Sequence, residues 1–317
     1  MRVVFLLIAR LRVIIRISMK LKYAGLALLF CCASAPLFAE GSCGELVFSD
    51  EFSEDGSPNP EKWDYEHGFV RNMELQWYRP ENAHCRNGLL VIEARREKVK
   101  NPNFGREPKN HWGNAREFAE YASACVISRG SFDFRRGRLE VRARIPFGKG
   151  AWPAIWLLGE SIRGKSDRLP WPACGEIDVM EFYRIGGVPN ILANFAWEGA
   201  KPGSSVWNGK KIPLSHFLAK DPDWLANFHV WRMDWDEKSY RIFLDGELLN
   251  EMPLEKSVNA GKYKGINPFL KPQYLLLNLA VGNPQKGKGP VDDDAMPMRY
   301  EIDYVRVYKF PESGENK

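Results

Sequence analysis

No uncharged apolar stretch in this 317-residue chain reaches the ~20 residues a bilayer-spanning helix needs. The five histidines (67, 84, 111, 216, 229) show no metal-ligand spacing, and no Cys-x-x-Cys pair occurs. A glycine-rich phosphate loop, a Ser/His/Asp arrangement, an internal repeat and a low-complexity tract are also missing. Long helical periodicity is scarce. Together these absences argue against a membrane anchor, a zinc enzyme, a nucleotide-binding fold and a helical bundle.

A one-sided charge balance is missing too. The formal net charge is +5, but residues 1–39 carry six Lys and Arg and no acid, which leaves 39 basic against 40 acidic residues. The excess belongs to a segment that reads as a targeting signal. Met19-Lys20-Leu21-Lys22 is a basic start, Ala24 to Cys32 an apolar run, and Ala39 a cleavage point before Glu40. Residues 1–18 place Arg10, Arg12 and Arg16 in a second apolar stretch, which fits an upstream start codon with Met19 as the true start. The expectation is a secreted or periplasmic protein, monomeric, with no membrane association in mature form and no nucleic-acid partner. Residues 40–317 read as one domain.

Four cysteines remain beyond the signal: Cys43, Cys85, Cys125 and Cys174. An exported chain can pair them in three ways, and buried free thiols are the alternative. Cys174, two residues before Glu176, is expected on the same strand face, where it would shape the site.

What the chain does contain is short alternating runs bounded by Gly, Pro and Asn, the pattern of an all-β sandwich. Leu89–Ala94 follows an Asn87-Gly88 turn. Arg138–Ile145 alternates strictly, Tyr240–Leu244 leads into Asp245-Gly246, and Tyr274–Val281 and Tyr300–Tyr308 complete the set. Residues 98–120 and 199–223, rich in Lys, Pro, Gly and Asn, read as long loops.

The informative segment is Gly175-Glu176-Ile177-Asp178-Val179-Met180-Glu181-Phe182. Alternate residues of a strand share a face, so Glu176 and Asp178 point one way while Ile177 and Val179 enter the core. Strict alternation would put Met180, not Glu181, on the acidic face. A β-bulge with Met180 as the extra residue resets the phase and gathers three carboxylates. At least one of them should then hold its proton above the ordinary carboxylate range. One ionised and one protonated carboxyl is what glycoside hydrolysis with retention requires, and Asp178 between them would steady the nucleophile. On a straight strand the two glutamate Cα atoms would lie about 13 Å apart, so the side chains must lean together over a concave sheet. A wet acidic strand face or a calcium site would account for the same acids. Against those stand Trp152 and Trp156 on the preceding segment, with Trp171 nearby, since aromatic faces stack on the C–H patches of sugar rings.

The Glu-Ile-Asp-Val-Met-Glu run resembles the active-site signature of glycoside hydrolase family 16, in its laminarinase-like and endo-β-galactosidase branch. The resemblance extends from about residue 45 to 309, through Leu46–Phe52, Asn72–Asn82, Gly148–Gly159, Phe228–Trp231, Leu276–Gly282 and Ile302–Tyr308. It implies a concanavalin-like jelly roll of two antiparallel sheets with an open cleft, and retaining endo-action on a β-linked polysaccharide or glycan. It implies Glu176 as nucleophile, Asp178 as assisting acid and Glu181 as acid/base. Trp152 and Trp156 become the aromatic platform, and Asn72 and Arg79 the polar contacts on the glycone side. Trp171 and Trp197 join them as substrate contacts. Catalysis needs no cofactor. Many members hold a structural calcium, for which Glu51, the Gly88 carbonyl and Asp303 are the candidates here.

The chain departs from the laminarinase pattern twice. The loop Asn283–Gly289 has no aromatic residue, and Ala196 stands where a histidine often faces the cleft, with Trp197 beside it. With Trp207 and Trp224 as further aromatics, these changes leave the substrate open between β-1,3/1,4-glucan and a galactose-containing glycan of mucin type. A transglycosylase, passing sugar to sugar rather than to water, is a second activity the same acids would support. A non-catalytic carbohydrate-binding sandwich would lack one acid, and all three are present.

Overall fold

A computed structural model describes residues 44–108, 111–201, 203–283 and 288–310. The signal segment 1–39, its start at Met19, and Cys43 lie outside the described residues. Those that are described fall within one compact unit, Ser42–Lys317.

Two sheets form the molecule. The cleft sheet has seven strands in the order β12 (Ser205–Pro213), β11 (Val188–Glu198), β10 (Glu176–Ile185), β9 (Ala151–Gly159), β16 (Gln273–Val281), β7 (Cys125–Ile127), β2 (Asp64–Tyr65). The outer sheet runs β15 (Glu247–Pro253), β14 (Ser239–Leu244), β13 (His229–Trp235), β8 (Gly137–Arg144), β17 (Met298–Lys309), β5 (Leu89–Lys100), β6 (Phe118–Ser123), β3 (Gln76–Tyr78). There β1 (Glu45–Asp50) pairs with β17 and β4 (Ala83–Arg86) with β5. Every pairing is antiparallel except β3 with β6. The expected all-β sandwich of two sheets is what the chain forms.

Each anticipated run becomes a strand because alternation gives it one face to bury. On β13 and β14, Trp231, Met233, Trp235, Tyr240 and Ile242 turn inward and meet Ile177, Val179, Phe182, Ile191 and Phe195 of the cleft sheet in a single core. Side chains from both inner faces interdigitate there, as in other sandwiches. The two hairpin turns anticipated at Asn87-Gly88 and Asp245-Gly246 carry positive φ at both positions (53° and 75°, 48° and 84°). A second, smaller apolar cluster, with Trp156, Leu158, Cys174, Tyr274 and Leu276, lies on the other side of the cleft sheet, where Trp156, Leu158 and Tyr274 also line the cleft.

One loop expectation needs correcting. Segment 199–223 contains β12, the edge strand of the cleft sheet. All nine of its residues remain at least partly wet on a strand with one neighbour, so no apolar alternation marks it. The 98–120 segment is likewise trimmed by β5 and β6 to a loop of 101–117.

Candidate active site

Three rows cross the cleft sheet in register. Glu176 lies opposite Leu158 on β9 and Ala196 on β11; Asp178 lies opposite Trp156 and Asn194; Glu181 lies opposite Ala154 and Leu192. From Asp178 to Glu181 β10 advances three residues while β11 advances two, from Asn194 to Leu192. This is the anticipated bulge. On the β9 side the residue without a partner is Val179, since Met180 faces Ile155; Val179 and Met180 both pack into the core with Ile177. Glu181 thereby returns to the face of Glu176 and Asp178, and these three acids line one small hollow in the cleft floor. Gly175, with φ at 80°, turns the chain into β10. A side chain there would meet Pro268 and Phe269 at 3.0 Å.

Indole donors flank the acids. Trp171 Nε1 donates to Glu176 Oε2 at 2.7 Å, and Trp152 Nε1 donates to Glu181 Oε1 at 2.8 Å. Between them, the Asn194 amide donates to Asp178 Oδ2 at 3.1 Å and to Glu181 Oε2 at 3.0 Å. Gly209 of β12 lies opposite Asn194, and a Cβ there would sit 2.5 Å from the Asn194 Oδ1. The missing side chain leaves that amide room to span the two acids.

Burial sets the protonation of the cluster. Desolvation pushes the Glu176 carboxyl up to about 7, and the neighbouring Glu181 charge adds to it; Trp171, Arg71 and Asp178 pull the other way. Desolvation, then Glu181 and Glu176, raise Asp178 well above the ordinary range. A protonated Asp178 can donate toward Glu176, which favours the Glu176 anion, and it is within hydrogen-bonding reach of Glu181. The site therefore holds both a carboxylate and a carboxylic acid near neutral pH, as the crowding of three acids requires.

The cavity above these residues measures about 960 Å³. Asn72 lines it, as anticipated, and donates to Glu74 at 3.3 Å. Arg79 does not reach it: its guanidinium bonds Asn82 at 2.7 Å and Glu97 at 2.6 Å, away from the cleft. The arginine that reaches the floor beside the acids is Arg71, which pairs with Glu66 and lies over the Trp156 ring at 4.8 Å. Position 71 gave no sequence signal beyond adjacency to Asn72. Asn72 and Met73 both adopt left-handed backbone, held by Asn283 and Arg116 bonding the Met73 carbonyl.

The tryptophans divide by role. Trp152 and Trp156 line the cavity but are nearly buried, and Trp156 Nε1 is committed to Asn278 Oδ1 at 2.7 Å. The open faces belong to Trp171 (45% exposed), whose indole bonds Glu176, and to Trp207 (48%), which stands opposite Ala196 at the β12 end of the Glu176 row. Trp197, expected as a substrate contact, turns into the core against Phe269, because Asn194 and Ala196 take the cleft side of β11. Trp224 is buried on His229. Asn194, Lys211 and Lys288 line the cleft without having been singled out as site residues; β-register, invisible in the sequence, places Asn194 and Lys211 there, and Lys288 enters from the loop after β16.

The calcium donor set does not fit a cation as arranged. Glu51 is held by both nitrogens of a fork from Arg306, at 2.8 Å each, and Asp303 pairs with Arg142. No group of three His, Cys, Asp or Glu side chains suited to a metal occurs among the described residues. Cys85, Cys125 and Cys174 are buried free thiols, so none of these three is bridged to another. Cys174 lies in the smaller apolar cluster and does not line the cavity.

With this geometry established, comparison places the chain among known proteins. It is 36% identical to a beta-glucanase of Rhodothermus marinus over 84% of this chain and 86% of that one. It is 28% identical to a keratan-sulfate endo-1,4-beta-galactosidase of Sphingobacterium multivorum, over 84% of this chain and 56% of that protein. A solved structure described as "Prominent members of the human gut microbiota express endo-acting O-glycanases to initiate mucin breakdown" superposes with a TM-score of 0.72 and 33% identity, covering 85% of this chain and 92% of that one. The model for glycosyl hydrolases family 16 matches residues 78–306, and the chain belongs to that family.

Proposed function

We propose that this protein is an exported, retaining endo-glycosidase that hydrolyses internal β-linkages of a galactose-containing glycan. The observation that carries the reaction is the return of Glu181 to the face of Glu176 across the Val179–Met180 bulge, over an open cleft. Glu176 attacks the anomeric carbon while Glu181 protonates the departing glycosidic oxygen. Trp171 and the neutral Asp178 hold the Glu176 carboxylate in line, and Trp152 and Asn194 hold Glu181. In the second step Glu181 takes a proton from water, and the hydroxyl replaces Glu176 on the same face of the sugar. The cavity lies open above the acids, and its lining extends from Arg129 and Tyr274 past the acids to Trp207 and Lys211, which suits a chain laid across it rather than a terminus captured.

The galactose-containing class is supported by the similarity to the two glycanases above and by the cleft rim. Ala196, between Glu176 and Trp207 in the same row, leaves room there for axial or branched groups. The 36% identity to a beta-glucanase favours β-1,3- or mixed-linkage glucan as the second reading. A panel of laminarin, mixed-linkage glucan, agarose, a keratan-type galactan and mucin O-glycans, with products sized, separates the two. Cleavage of laminarin and not of the galactose-containing chains would overturn the substrate proposal. Proton NMR of the first product should show the β-anomer; an initial α-anomer would overturn retention. Products longer than the input would make the enzyme a transglycosylase.

A further inference from the structure

The cleft carries two lysines that the reaction does not use. Lys211 stands on β12 opposite Leu192, which is itself opposite Glu181 on β10, so Lys211 lies two strands, roughly 10 Å, along the Glu181 row. Lys288 approaches from the loop above the same end. Its ammonium sits 2.8 Å from the centre of the Tyr183 ring and 4.7 Å from that of Trp152, the indole that donates to Glu181. Its position is built: the Lys288 N–H donates to the Asn283 carbonyl at 3.0 Å, and Gly282 packs so closely that a Cβ would lie 2.0 Å from the Lys288 carbonyl oxygen. Asn283 in turn is tied to the Met73 carbonyl at 2.7 Å.

Neither lysine has a carboxylate within ion-pair distance among the described residues. Desolvation first, with Lys211 contributing, lowers the Lys288 ammonium to about 8, while Glu181 and Asp178 act to raise it. An ammonium largely desolvated over two aromatic rings, with no carboxylate in ion-pair range and a second lysine lining the same cavity, is a costly arrangement that an anion bound there would relieve. The two lysines occupy one end of the cavity, and the indole-bonded Glu181 separates them from Glu176.

We propose that Lys211 and Lys288 form an anion-reading site on the Glu181 side of the cleft, which takes a sulfate ester or a carboxylate borne by the sugar chain. The proposal rests on the reading of this cleft as a glycan-cleaving site and adds the class of substituent it selects. Tyr183 and Trp152 give the sugar ring an apolar wall beside the ammonium groups. A charge-assisted contact here is exclusive of water on one side, which favours anionic over neutral chains of the same backbone.

The test is binding to the Glu176→Gln protein, so that turnover does not enter the reading. One galactose-containing oligosaccharide backbone is prepared neutral, sulfated and sialylated, and titrated calorimetrically at low ionic strength. At least one anionic form should bind about tenfold tighter than the neutral one, as expected for a hydrogen-bonded charge contact. The form that gains identifies the substituent. In Glu176→Gln carrying Lys211→Met and Lys288→Met that gap should close to within about twofold, and Lys→Arg at both positions should restore most of it. Equal binding of all three forms, or a gap that survives the methionine pair, overturns the anion site alone. A gap present in a protein whose wild type cleaves none of the three forms keeps the anion site and overturns the hydrolase reading. If no form binds, both fall.

Discussion

On the outer sheet Arg138 is bonded to Asp234, Arg142 to Asp303, Arg144 to Glu301 and, at its edge, Arg306 to Glu51. In the cleft Glu176, Asp178 and Glu181 crowd one another on β10, and Lys211 of β12 and Lys288 of the loop after β16 stand without ion-paired carboxylates among the described residues. Both sheets are antiparallel but for β3 with β6 in the outer one, alternate in the same way and share one core. They differ in what the chain does with charge. The outer sheet neutralises it pair by pair: Arg138–Asp234 is a buried, doubly bonded pair, while the more exposed pairs such as Arg306–Glu51 contribute little to stability. The cleft sheet holds like charges together and desolvates them, which costs stability and leaves protons and charges available for chemistry. The single-residue bulge at Val179–Met180 makes the concentration of acids possible, because without it Glu181 would face the core.

The contrast yields graded expectations. Glu176→Gln and Glu181→Gln should each lower kcat/KM on a good substrate by about 10⁴-fold while circular dichroism stays unchanged, since each removes a group no neighbour can replace. Activity within tenfold of wild type in either would end the assignment of roles. Asn194→Ala should cost about 10–100-fold by releasing the amide that spans Asp178 and Glu181. Gly209→Ala should act in the same direction through the 2.5 Å clash with the Asn194 amide. If Gly209→Ala is fully active, the Asn194 bridge is not required.

The same comparison predicts a pH signature in stability. The Glu176 carboxyl titrates near 7 in the folded protein against an ordinary 4.5. Between those values the folded state binds more protons than the unfolded one, so this group's contribution weakens as pH rises from about 4.5 through about 7. Glu176→Gln removes that loss. The variant should be more stable than wild type by roughly 3 kcal/mol at pH 8 and no more stable at pH 4, from about 1.4 kcal/mol per pKa unit. Denaturant melts at both pH values check it, and an equal difference at the two would show that Glu176 is not strained by burial. At the small end, Arg306→Met on the outer sheet should change stability by less than about 1 kcal/mol and leave kcat/KM untouched.

How much of this was legible in the sequence follows the same division. Strands that bury one face announce themselves, and Leu89, Arg138, Tyr240, Tyr274 and Tyr300 each begin a run that forms a strand. The acidic segment was legible because Glu176, Asp178 and Glu181 share one strand, so their relation depends only on local phase. The bulge could be inferred from that phase, although on the β9 side the slack falls at Val179 rather than Met180. Residues brought in from other strands were not legible. Asn194 and Lys211 enter the cleft through register, which the sequence of an edge strand such as β12 does not declare. The same cause misassigned Trp197: a one-residue phase decides core or cleft, and Phe195 and Trp197 take the core. Arg79 was misread because Arg71, eight residues earlier and before the left-handed pair Asn72-Met73, is the one that lies over the Trp156 ring.

The central claim is that the two glutamates on β10 divide the work, Glu176 as nucleophile and Glu181 as acid/base. Azide rescue of the two alanine variants on an activated aryl glycoside tests it directly. Glu181→Ala with azide should give the β-glycosyl azide, because azide intercepts a glycosyl-enzyme still formed on Glu176. Glu176→Ala should give the α-glycosyl azide, because azide takes the place of the missing nucleophile. The opposite pairing of variant and anomer would contradict the account.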